Sequence, residues 1–226
     1  MIRPLFLALV AFFALAAPLG RADEANHVSA PISAVRVIDG DTLAVNGRVI
    51  RLSGIDAPEI GQTCDHNGHP WSCGVTAALD LRKSLTMSRL SGLYCRIERK
   101  ARYWEEATCS VSDKDLAESL LRQGAADTIP LVESHYLGVV DRAKNAKLGI
   151  WGGVHETPKD WIKAHRAEAD PKYCVVKGVK GETGLRFVTP MMFGYDKIEA
   201  DARFCGVDDA MTAGYAPLLS DQSDQR

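Results

Sequence analysis

The clearest hydrophobic pattern in the chain is a pair of short apolar runs separated by a turn dipeptide. Apolar residues recur between Val35 and Val45 and again between Val49 and Leu52, and Asn46-Gly47 lies between the two runs. Asn-Gly suits a two-residue type I′ turn because both central residues of that turn need a positive φ. The pattern therefore predicts an antiparallel hairpin in this part of the chain.

Three later segments have the apolar spacing of helices, and two have the pattern of strands. Ala78, Leu81 and Leu85 recur at helical intervals, and charged residues lie off that stripe. The predicted helices cover 73 to about 90, 116 to 124 and 132 to 147, and the predicted strands cover 93–99 and 107–111. Gly124 is a natural C′ residue at the end of the second helix. This order of elements predicts an α+β arrangement around a small barrel.

Acidic residues flank the predicted hairpin. Pairing of the two strands brings Asp41 close to Asp56 and Glu59, which lie in the loop after the second strand, and Arg51 lies on that strand near the same place. Carboxylates beside one arginine suit a hard, oxygen-liking cation together with an anionic substrate such as a phosphate. The alternative is a hairpin with ordinary turn residues, since Asp, Gly and Pro are common in loops.

The same residues form a signature. Asp39-Gly40-Asp41-Thr42 is followed by Arg51-Leu52 and then by Asp56-Ala57-Pro58-Glu59, and this order and separation resemble the signature of the staphylococcal nuclease (thermonuclease) family. Segments 120–124 and 143–151 resemble the second helix, the third helix and the closing tryptophan of that family. The resemblance covers roughly residues 33–151 and implies a five-stranded OB-fold β-barrel with three helices.

The resemblance implies a calcium site. Asp41 and Asp56 would bind Ca²⁺ through their carboxylates, and Ala57 would add its backbone carbonyl. The family often has threonine at the position of Ala57, but a carbonyl ligand tolerates that change. Asp39 would lie near the metal and help to hold the acidic pocket.

The resemblance also implies two catalytic residues. Glu59 would act on the attacking water, as general base or as an orienting group, and Arg51 would grip a phosphate oxygen. The implied reaction is hydrolysis of DNA or RNA at the 5′-oxygen, which leaves 3′-phosphate ends. A dication and a guanidinium can together offset the negative charge that develops at phosphorus.

One family feature is missing from this chain. The family has a second arginine in a Tyr-Gly-Arg element before the strand that ends here at Cys109, and this chain has Trp104 or, with a shift of one residue, Glu105 at that position. Glu105 and Glu106 are expected to repel phosphate. Arg102 would lie on the same strand face as Trp104, which makes it a substitute phosphate contact. The alternative is that Arg102 is an ordinary exposed basic residue.

The N-terminus has the pattern of a secretory signal peptide. Arg3 precedes an apolar run from Leu5 to Ala17, and Gly20-Arg21-Ala22 suits cleavage before Asp23. The run is short for a membrane span, and an uncleaved anchor is the alternative. We expect residues 1–22 to be removed and the mature protein to be exported, periplasmic or secreted, without stable membrane association.

Six cysteines in an exported chain predict disulfide bonds. A zinc site is the competing hypothesis for the first cysteine pair, which has His66 and His69 between its members, but the spacing does not match the usual zinc motifs. Sequence alone leaves the pairing open. The spacing suggests three local bridges, Cys64–Cys73, Cys95–Cys109 and Cys174–Cys205.

The predicted organisation has a thermonuclease-like domain at residues 33–152, after a polar lead-in at 23–31 and before a linker at 153–172. Residues 173–216 resemble a small cysteine-bridged module found after nuclease domains in some bacterial exported proteins, and residues 217–226 form a polar tail. The motif of the module does not imply its function.

The net charge of the chain excludes one class of nucleic-acid-binding protein. The formal net charge is −2, and loss of residues 1–22 leaves 25 basic against 29 acidic residues, a net charge of −4. A globally basic nucleic-acid binder is excluded, so nucleic acid must contact a local patch or a bound metal. The leading hypothesis is an exported calcium-dependent nuclease acting on DNA or RNA, weak because the second arginine is missing. The alternative is a catalytically inactive OB-fold binding or accessory protein, for nucleic acid or for exopolysaccharide or envelope assembly.

Overall fold

The computed structural model describes residues 26–86, 91–130, 134–167 and 169–219. The predicted signal peptide, the end of the first predicted helix, the start of the third and most of the predicted tail lie outside these ranges. Within them, no helix combines the length and the apolar character needed to cross a membrane.

The fold is α+β, and its strands belong to several separate sheets. The strands of the described ranges are, in chain order, β1 (His27–Pro31), β2 (Val35–Val37), β3 (Thr42–Val45), β4 (Arg48–Leu52), β5 (Ile55–Asp56), β6 (Cys64–His66), β7 (His69–Trp71), β8 (Gly92–Lys100), β9 (Glu105–Val111), β10 (Lys114–Asp115), β11 (Asp127–Thr128), β12 (Val176–Gly181), β13 (Gly184–Val188), β14 (Ala202–Phe204) and β15 (Ala216–Pro217). The helices are α1 (Cys73–Thr86), α2 (Leu116–Gln123), α3 (Ser134–Asn145), α4 (Pro158–His165) and α5 (Val207–Thr212).

The main sheet has seven strands in the order β1-β8-β9-β4-β3-β2, with β10 paired to β9. Strands β4 and β9 run parallel, and the other neighbours in this sheet are antiparallel. Among the strands that the structure describes, no pairing of β1 with β2 closes this sheet. The structure thus has more strands than the predicted five-stranded barrel, and five helices in the described ranges where three were predicted.

The predicted hairpin is present as β3 and β4. Asn46 and Gly47 have φ values of 50° and 78°, the left-handed conformation that a two-residue type I′ turn requires. The apolar residues of the hairpin, among them Leu43, Val45 and Ile50, are fully buried in the main core. The hairpin prediction is confirmed.

The first two helices follow local signals in the sequence. Ala78, Leu81 and Leu85 are buried along one face of α1, as the helical spacing predicts. The side chain of Asp115 caps α2 by accepting a hydrogen bond of 3.0 Å from the backbone N–H of Glu118. Gly124 ends α2 with a φ of 69°, which matches its predicted role.

The six cysteines form the three bridges that their spacing suggests. The structure joins Cys64 to Cys73, Cys95 to Cys109 and Cys174 to Cys205. Cys95 and Cys109 lie directly opposite each other on β8 and β9. The zinc alternative is wrong, because both cysteines that it required are consumed by the first disulfide bond.

The segment that was predicted as a polar lead-in contains a strand. Residues 27–31 form β1, which pairs with β8 at the edge of the main sheet. Val28 and Ala30 are buried and their neighbours are more exposed, so the segment alternates as a strand does. The prediction failed here because two small apolar residues are a weak local signal.

The C-terminal part of the chain, which comprises β12 to β15 and α5, packs against the main sheet and shares its core. Val176, Phe187 and Met211 are buried in the same hydrophobic cluster as the residues of β3 and β4. The buried hydroxyl of Thr189 donates a 2.7 Å hydrogen bond to the backbone carbonyl of Ile38.

The interval predicted as a linker contains α4, whose Trp161 is buried beside the Cys174–Cys205 bridge. The linker is therefore a structured connection.

Candidate active site

The turn between β2 and β3 positions the first two acidic residues. The backbone N–H of Ile38 donates to the carbonyl of Thr42 at 2.9 Å, and the N–H of Asp41 donates to the Asp39 carboxylate at 3.1 Å. A Cβ at Gly40 would lie 2.7 Å from the Cβ of Ala57, so the turn approaches the loop after β5 too closely for any larger residue. Asp39 and Asp41 therefore face that loop.

Asp41 ties the two halves of the signature together. One of its carboxylate oxygens accepts a 3.1 Å hydrogen bond from the N–H of Ala57, and the other accepts a 2.8 Å bond from the hydroxyl of Thr42. Its backbone carbonyl accepts a 2.9 Å bond from the N–H of Leu52. With its side chain only 4% exposed, Asp41 is fixed in place.

Arg51 lies among three carboxylates. It pairs with Thr42 across β3 and β4, and its Nη2 lies 3.7 Å from Asp41 Oδ2 and 3.5 Å from Asp56 Oδ1. Its Nη1 contacts the carboxylate of Asp208, which belongs to α5 in the C-terminal part of the chain. The positive charge of Arg51 is thus shared between the predicted metal-binding residues and a residue far away in sequence.

Glu59 is buried at the same pocket and is held through its backbone. Its N–H donates to the side-chain oxygen of Gln62 at 3.1 Å, and Gln62 in turn donates to the carbonyl of Glu156 at 2.8 Å. Within the described residues, no hydrogen bond reaches the Glu59 carboxylate, although the residue is only 8% exposed. A buried carboxylate without such partners is available to a water molecule or a ligand.

The crowding of these carboxylates shifts their pKa values. Burial, reinforced by the charge of Asp41, raises the pKa of Asp39 from 3.8 to about 8. The same two causes, in the same order, raise the pKa of Asp56 to about 6. Burial also raises the pKa of Glu59 well above its ordinary value, with a further contribution from Asp39. The pocket therefore contains more negative charge than Arg51 offsets.

The donor chemistry of the pocket fits calcium. Its side chains offer carboxylate oxygens from two segments, which is the ligand type that a hard dication prefers. Burial, reinforced by the charge of Asp41, raises the pKa values of Asp39 and Asp56, and a bound dication would favour their ionised forms. In the described residues, no three His, Cys, Asp or Glu side chains are arranged to hold a metal ion as they stand. Instead, the guanidinium of Arg51 lies between Asp41 and Asp56.

Two residues of the pocket were missed by the sequence reasoning. Asp208 lines the pocket together with Asp39, Asp41, Arg51 and Glu59. It lies 157 residues after Arg51, and no spacing pattern connects the two. Gln62 follows the signature closely, but its role depends on a carbonyl 94 residues later. Neither contact has a local sequence signal.

The region of the missing arginine differs from the expectation. Residues 101–104 form the connection between β8 and β9, so the strand alternation that would give Arg102 and Trp104 one face does not apply. Arg102 is exposed, and its guanidinium lies over the Tyr103 ring at 5.2 Å from the centroid. It is not among the residues that line the acidic pocket. Its role as a substitute phosphate contact stays a prediction.

The two glutamates that were expected to repel phosphate are paired with basic side chains. Glu105 accepts a 2.6 Å hydrogen bond from Arg48, and Glu106 accepts a 2.9 Å bond from Arg99. These ion pairs reduce the repulsion that the bare sequence suggested.

Trp104 lines a second, more open pocket of about 350 Å³ that reaches from the turn of the hairpin to Tyr215 and Ala216 in the C-terminal part. Its indole N–H is buried and has no hydrogen-bond partner in the part of the chain that the structure describes. Both candidate positions of the missing arginine, Trp104 and Glu105, thus line a pocket that also includes Tyr215 of the C-terminal part.

Comparison with known proteins identifies a family for the part of the chain that contains Arg51, Asp56 and Glu59. A family model described as staphylococcal nuclease homologue matches residues 49–153. The match includes Arg51, Asp56 and Glu59, whereas Asp39 and Asp41 lie before it.

Two relatives have printed functions. A protein named succinoglycan biosynthesis protein ExoI from Rhizobium meliloti (strain 1021) is 32% identical over 142 residues, which are 61% of this chain and 73% of that protein. A probable endonuclease, LCL3, from Pyricularia oryzae (strain 70-15 / ATCC MYA-4617 / FGSC 8958) is 28% identical over 156 residues, which cover 61% of this chain and 58% of that protein. With the family model and with a relative of this identity and coverage, the chain belongs to the staphylococcal nuclease homologue family.

Proposed function

We propose that the protein is an exported, calcium-dependent nuclease that hydrolyses phosphodiester bonds of DNA or RNA and leaves 3′-phosphate ends. The observation that carries this proposal is that Arg51, the buried Glu59 and Asp41 line one pocket, with Asp56 3.5 Å from Arg51. Family membership makes nucleic acid the expected substrate, and one relative is named a probable endonuclease.

Three residues would hold the cation in this proposal. Asp41 and Asp56 offer carboxylate oxygens, and Ala57, whose N–H already binds Asp41, offers its backbone carbonyl. Asp39 stays near the metal and adds negative charge. A bound dication would supply Lewis-acid stabilisation of the negative charge on the phosphate oxygens.

The remaining chemistry belongs to Glu59 and Arg51. The Glu59 carboxylate takes a proton from water while the water oxygen bonds to phosphorus. The bond between phosphorus and the 5′-oxygen breaks, its electron pair stays on that oxygen, and the oxygen takes a proton from solvent to become the 5′-hydroxyl. Burial raises the pKa of Glu59, and a general base is most effective when its pKa approaches the working pH. The planar guanidinium of Arg51 donates to the phosphate oxygens as charge accumulates on them.

Export and domain organisation are part of the same proposal. Three disulfide bonds suit an oxidising compartment, the periplasm or the exterior. The domain at 33–152 and the module at 173–216 are retained in this proposal, whereas the predicted closed barrel is not, since no pairing of β1 with β2 closes the main sheet in the described residues. Because the module shares a hydrophobic core with the nuclease domain, it packs directly against that domain.

A second candidate function is an accessory protein without turnover. Two observations favour it: Trp104 or Glu105 stands where the family has an arginine, and Arg51 is engaged by Asp208. One relative is named a succinoglycan biosynthesis protein, which suggests a role in exopolysaccharide or envelope assembly. In that case the pocket binds cation or nucleic acid and does not cleave it.

The test uses oxidised mature protein with single-stranded DNA, duplex DNA and RNA, in calcium and in chelator. Glu59→Gln serves as the control against a contaminating nuclease. Calcium-dependent cleavage that is lost in the variant supports the nuclease. A folded protein that binds calcium but cleaves none of the three substrates supports the accessory function.

A further inference from the structure

The contact between Arg51 and Asp208 joins the proposed phosphate-binding residue to the C-terminal part of the chain. Asp208 Oδ2 accepts a hydrogen bond from Arg51 Nη1, in the closest of the ion pairs that Arg51 makes. A carboxylate on a guanidinium uses the same donors that a phosphate oxygen would use. Asp208 therefore occupies a position that the proposed substrate needs.

The pocket behind this contact is nearly full. Its free volume is about 10 Å³, which is room for roughly one water molecule and not for a phosphodiester. Besides Asp208, the C-terminal part brings Gly206 against the catalytic carboxylate, where a Cβ would lie 2.8 Å from Glu59 Oε2. A phosphate oxygen can therefore reach Arg51 Nη1 only when the Asp208 side chain moves away.

Helix α5, which carries Asp208, is packed into the main hydrophobic core. Val207, Ala210 and Met211 of α5 are buried in the main hydrophobic cluster, and the Cys174–Cys205 bridge lies directly before this helix. Arg51 also has Asp41 and Asp56 nearby to orient its guanidinium. A further carboxylate is not needed to hold the arginine in place, but it does occupy the donors of Nη1.

We propose that Asp208 is a substrate-competing residue, a carboxylate from the C-terminal part that occupies the phosphate position on Arg51 and must be displaced before nucleic acid binds. The proposal rests on the proposed function in that Arg51 is taken as the phosphate contact. It concerns binding and access, and it can be tested without cleavage.

The chain offers a matched control for Asp208. Asp209 is the next residue of α5, and its carboxylate accepts a 3.1 Å hydrogen bond from Arg166, outside the residues that line the acidic pocket. Asp208→Asn and Asp209→Asn remove the same charge from the same helix. A general effect of charge on nucleic-acid binding changes both variants alike, whereas competition for Arg51 changes Asp208→Asn alone.

The experiment measures affinity for a short, fluorescently labelled single-stranded oligodeoxynucleotide by anisotropy, with calcium present. All variants carry Glu59→Gln so that the probe is not cleaved, and circular dichroism verifies the fold. We expect Asp208→Asn to bind roughly tenfold more tightly, because it frees a charge-assisted donor, and Asp209→Asn to stay within about twofold. Adding Arg51→Gln to Asp208→Asn is expected to abolish the gain.

The outcomes separate this proposal from the nuclease proposal. Equal or weaker binding by Asp208→Asn overturns the competition, whether or not the wild-type protein cleaves nucleic acid; weaker binding would make Asp208 a positioning residue for Arg51. Tighter binding by both Asp208→Asn and Asp209→Asn also overturns it, since the effect would be one of net charge. Tighter binding by Asp208→Asn alone supports the competition even if the wild-type protein shows no cleavage.

Discussion

The two halves of the candidate site are built in different ways. The cation half consists of Asp41, Asp56 and the loop to Glu59, all within two short segments joined by a hairpin. The phosphate half consists of Arg51, the connection before β9 and residues of the C-terminal part, which come from three distant stretches of the chain. The first half has the aspartates of the family signature, and the second half has its first arginine, Arg51, but Trp104 or Glu105 where the family has a second arginine.

The two halves differ in how many distant segments of the chain determine their geometry. A cation pocket made from one hairpin is fixed by backbone hydrogen bonds, such as the 3.1 Å bond from Ala57 to Asp41. A phosphate position assembled from distant segments can be altered by any one of them.

The strongest test of the comparison removes the catalytic carboxylate. Glu59→Gln keeps the shape of the side chain but removes its ability to accept a proton, so we expect cleavage to fall by about 10²–10⁴-fold. Single-turnover cleavage in calcium measures the loss. Glu156→Gln is the control, since Glu156 contacts Gln62 through its backbone carbonyl only. Full activity in Glu59→Gln would contradict the assignment of the base.

A second test addresses the cation half alone. Asp56→Asn removes one charged ligand from the proposed site, and we expect calcium affinity to fall by at least about tenfold. Isothermal titration with calcium measures the change. Asp127 pairs with Asp56 across β5 and β11 and lies 3.5 Å from Lys144, so Asp127→Asn is the matched control and should change the affinity much less. Equal losses in both variants would mean that the effect is one of general charge.

The sequence predicted that Asp41, Arg51 and Asp56 lie close together because the determinants of that arrangement are local. The Asn46-Gly47 turn sets the register of β3 and β4, and that register places Arg51 opposite Thr42. The order of the signature then brings Asp41 to the loop of Asp56. These positions follow from adjacent residues and from turn chemistry.

The contact of Asp208 with Arg51 could not be predicted from local sequence patterns. Asp208 reaches Arg51 only because β12 to β15 and α5 share a core with the main sheet, and such packing has no signature in either segment. The strand β1 was missed for a related reason, since the pairing of Val28 with Cys95 is decided by β8. Contacts between distant segments depend on the completed fold.

A third test uses the pH dependence of stability in chelator. The pKa values of Asp39 and Asp56 are raised from 3.8 to about 8 and about 6, so the fold favours their protonated forms. This stabilisation is complete below their unfolded-state pKa values. For Asp56 it is lost as pH rises through about 6, and for Asp39 through about 8.

We expect the free energy of unfolding in chelator to fall by about 2–5 kcal/mol between about pH 5 and about pH 9. Urea denaturation across that range measures the decline. Asp39→Asn should flatten the profile, and calcium should restore stability most at high pH, where the carboxylates are ionised. A profile that rises with pH in chelator would contradict burial, reinforced by the charge of Asp41, as the cause of the raised pKa values.

The smallest expected effect concerns the phosphate half. Glu106 pairs with Arg51 in the parallel register of β4 and β9, which by position alone suggests that it repels substrate. Its carboxylate accepts a 2.9 Å hydrogen bond from Arg99, so its charge is already offset. We therefore expect Glu106→Gln to change the KM for nucleic acid by less than about threefold, as for most exposed ion pairs.

Arg99→Gln leaves Glu106 without this partner and should raise KM more than Glu106→Gln lowers it. The double variant should return close to wild type, because both charges of the pair are then gone. A large gain from Glu106→Gln alone would mean that the Arg99 pair does not offset its charge, and that Glu106, like Asp208, limits the phosphate half.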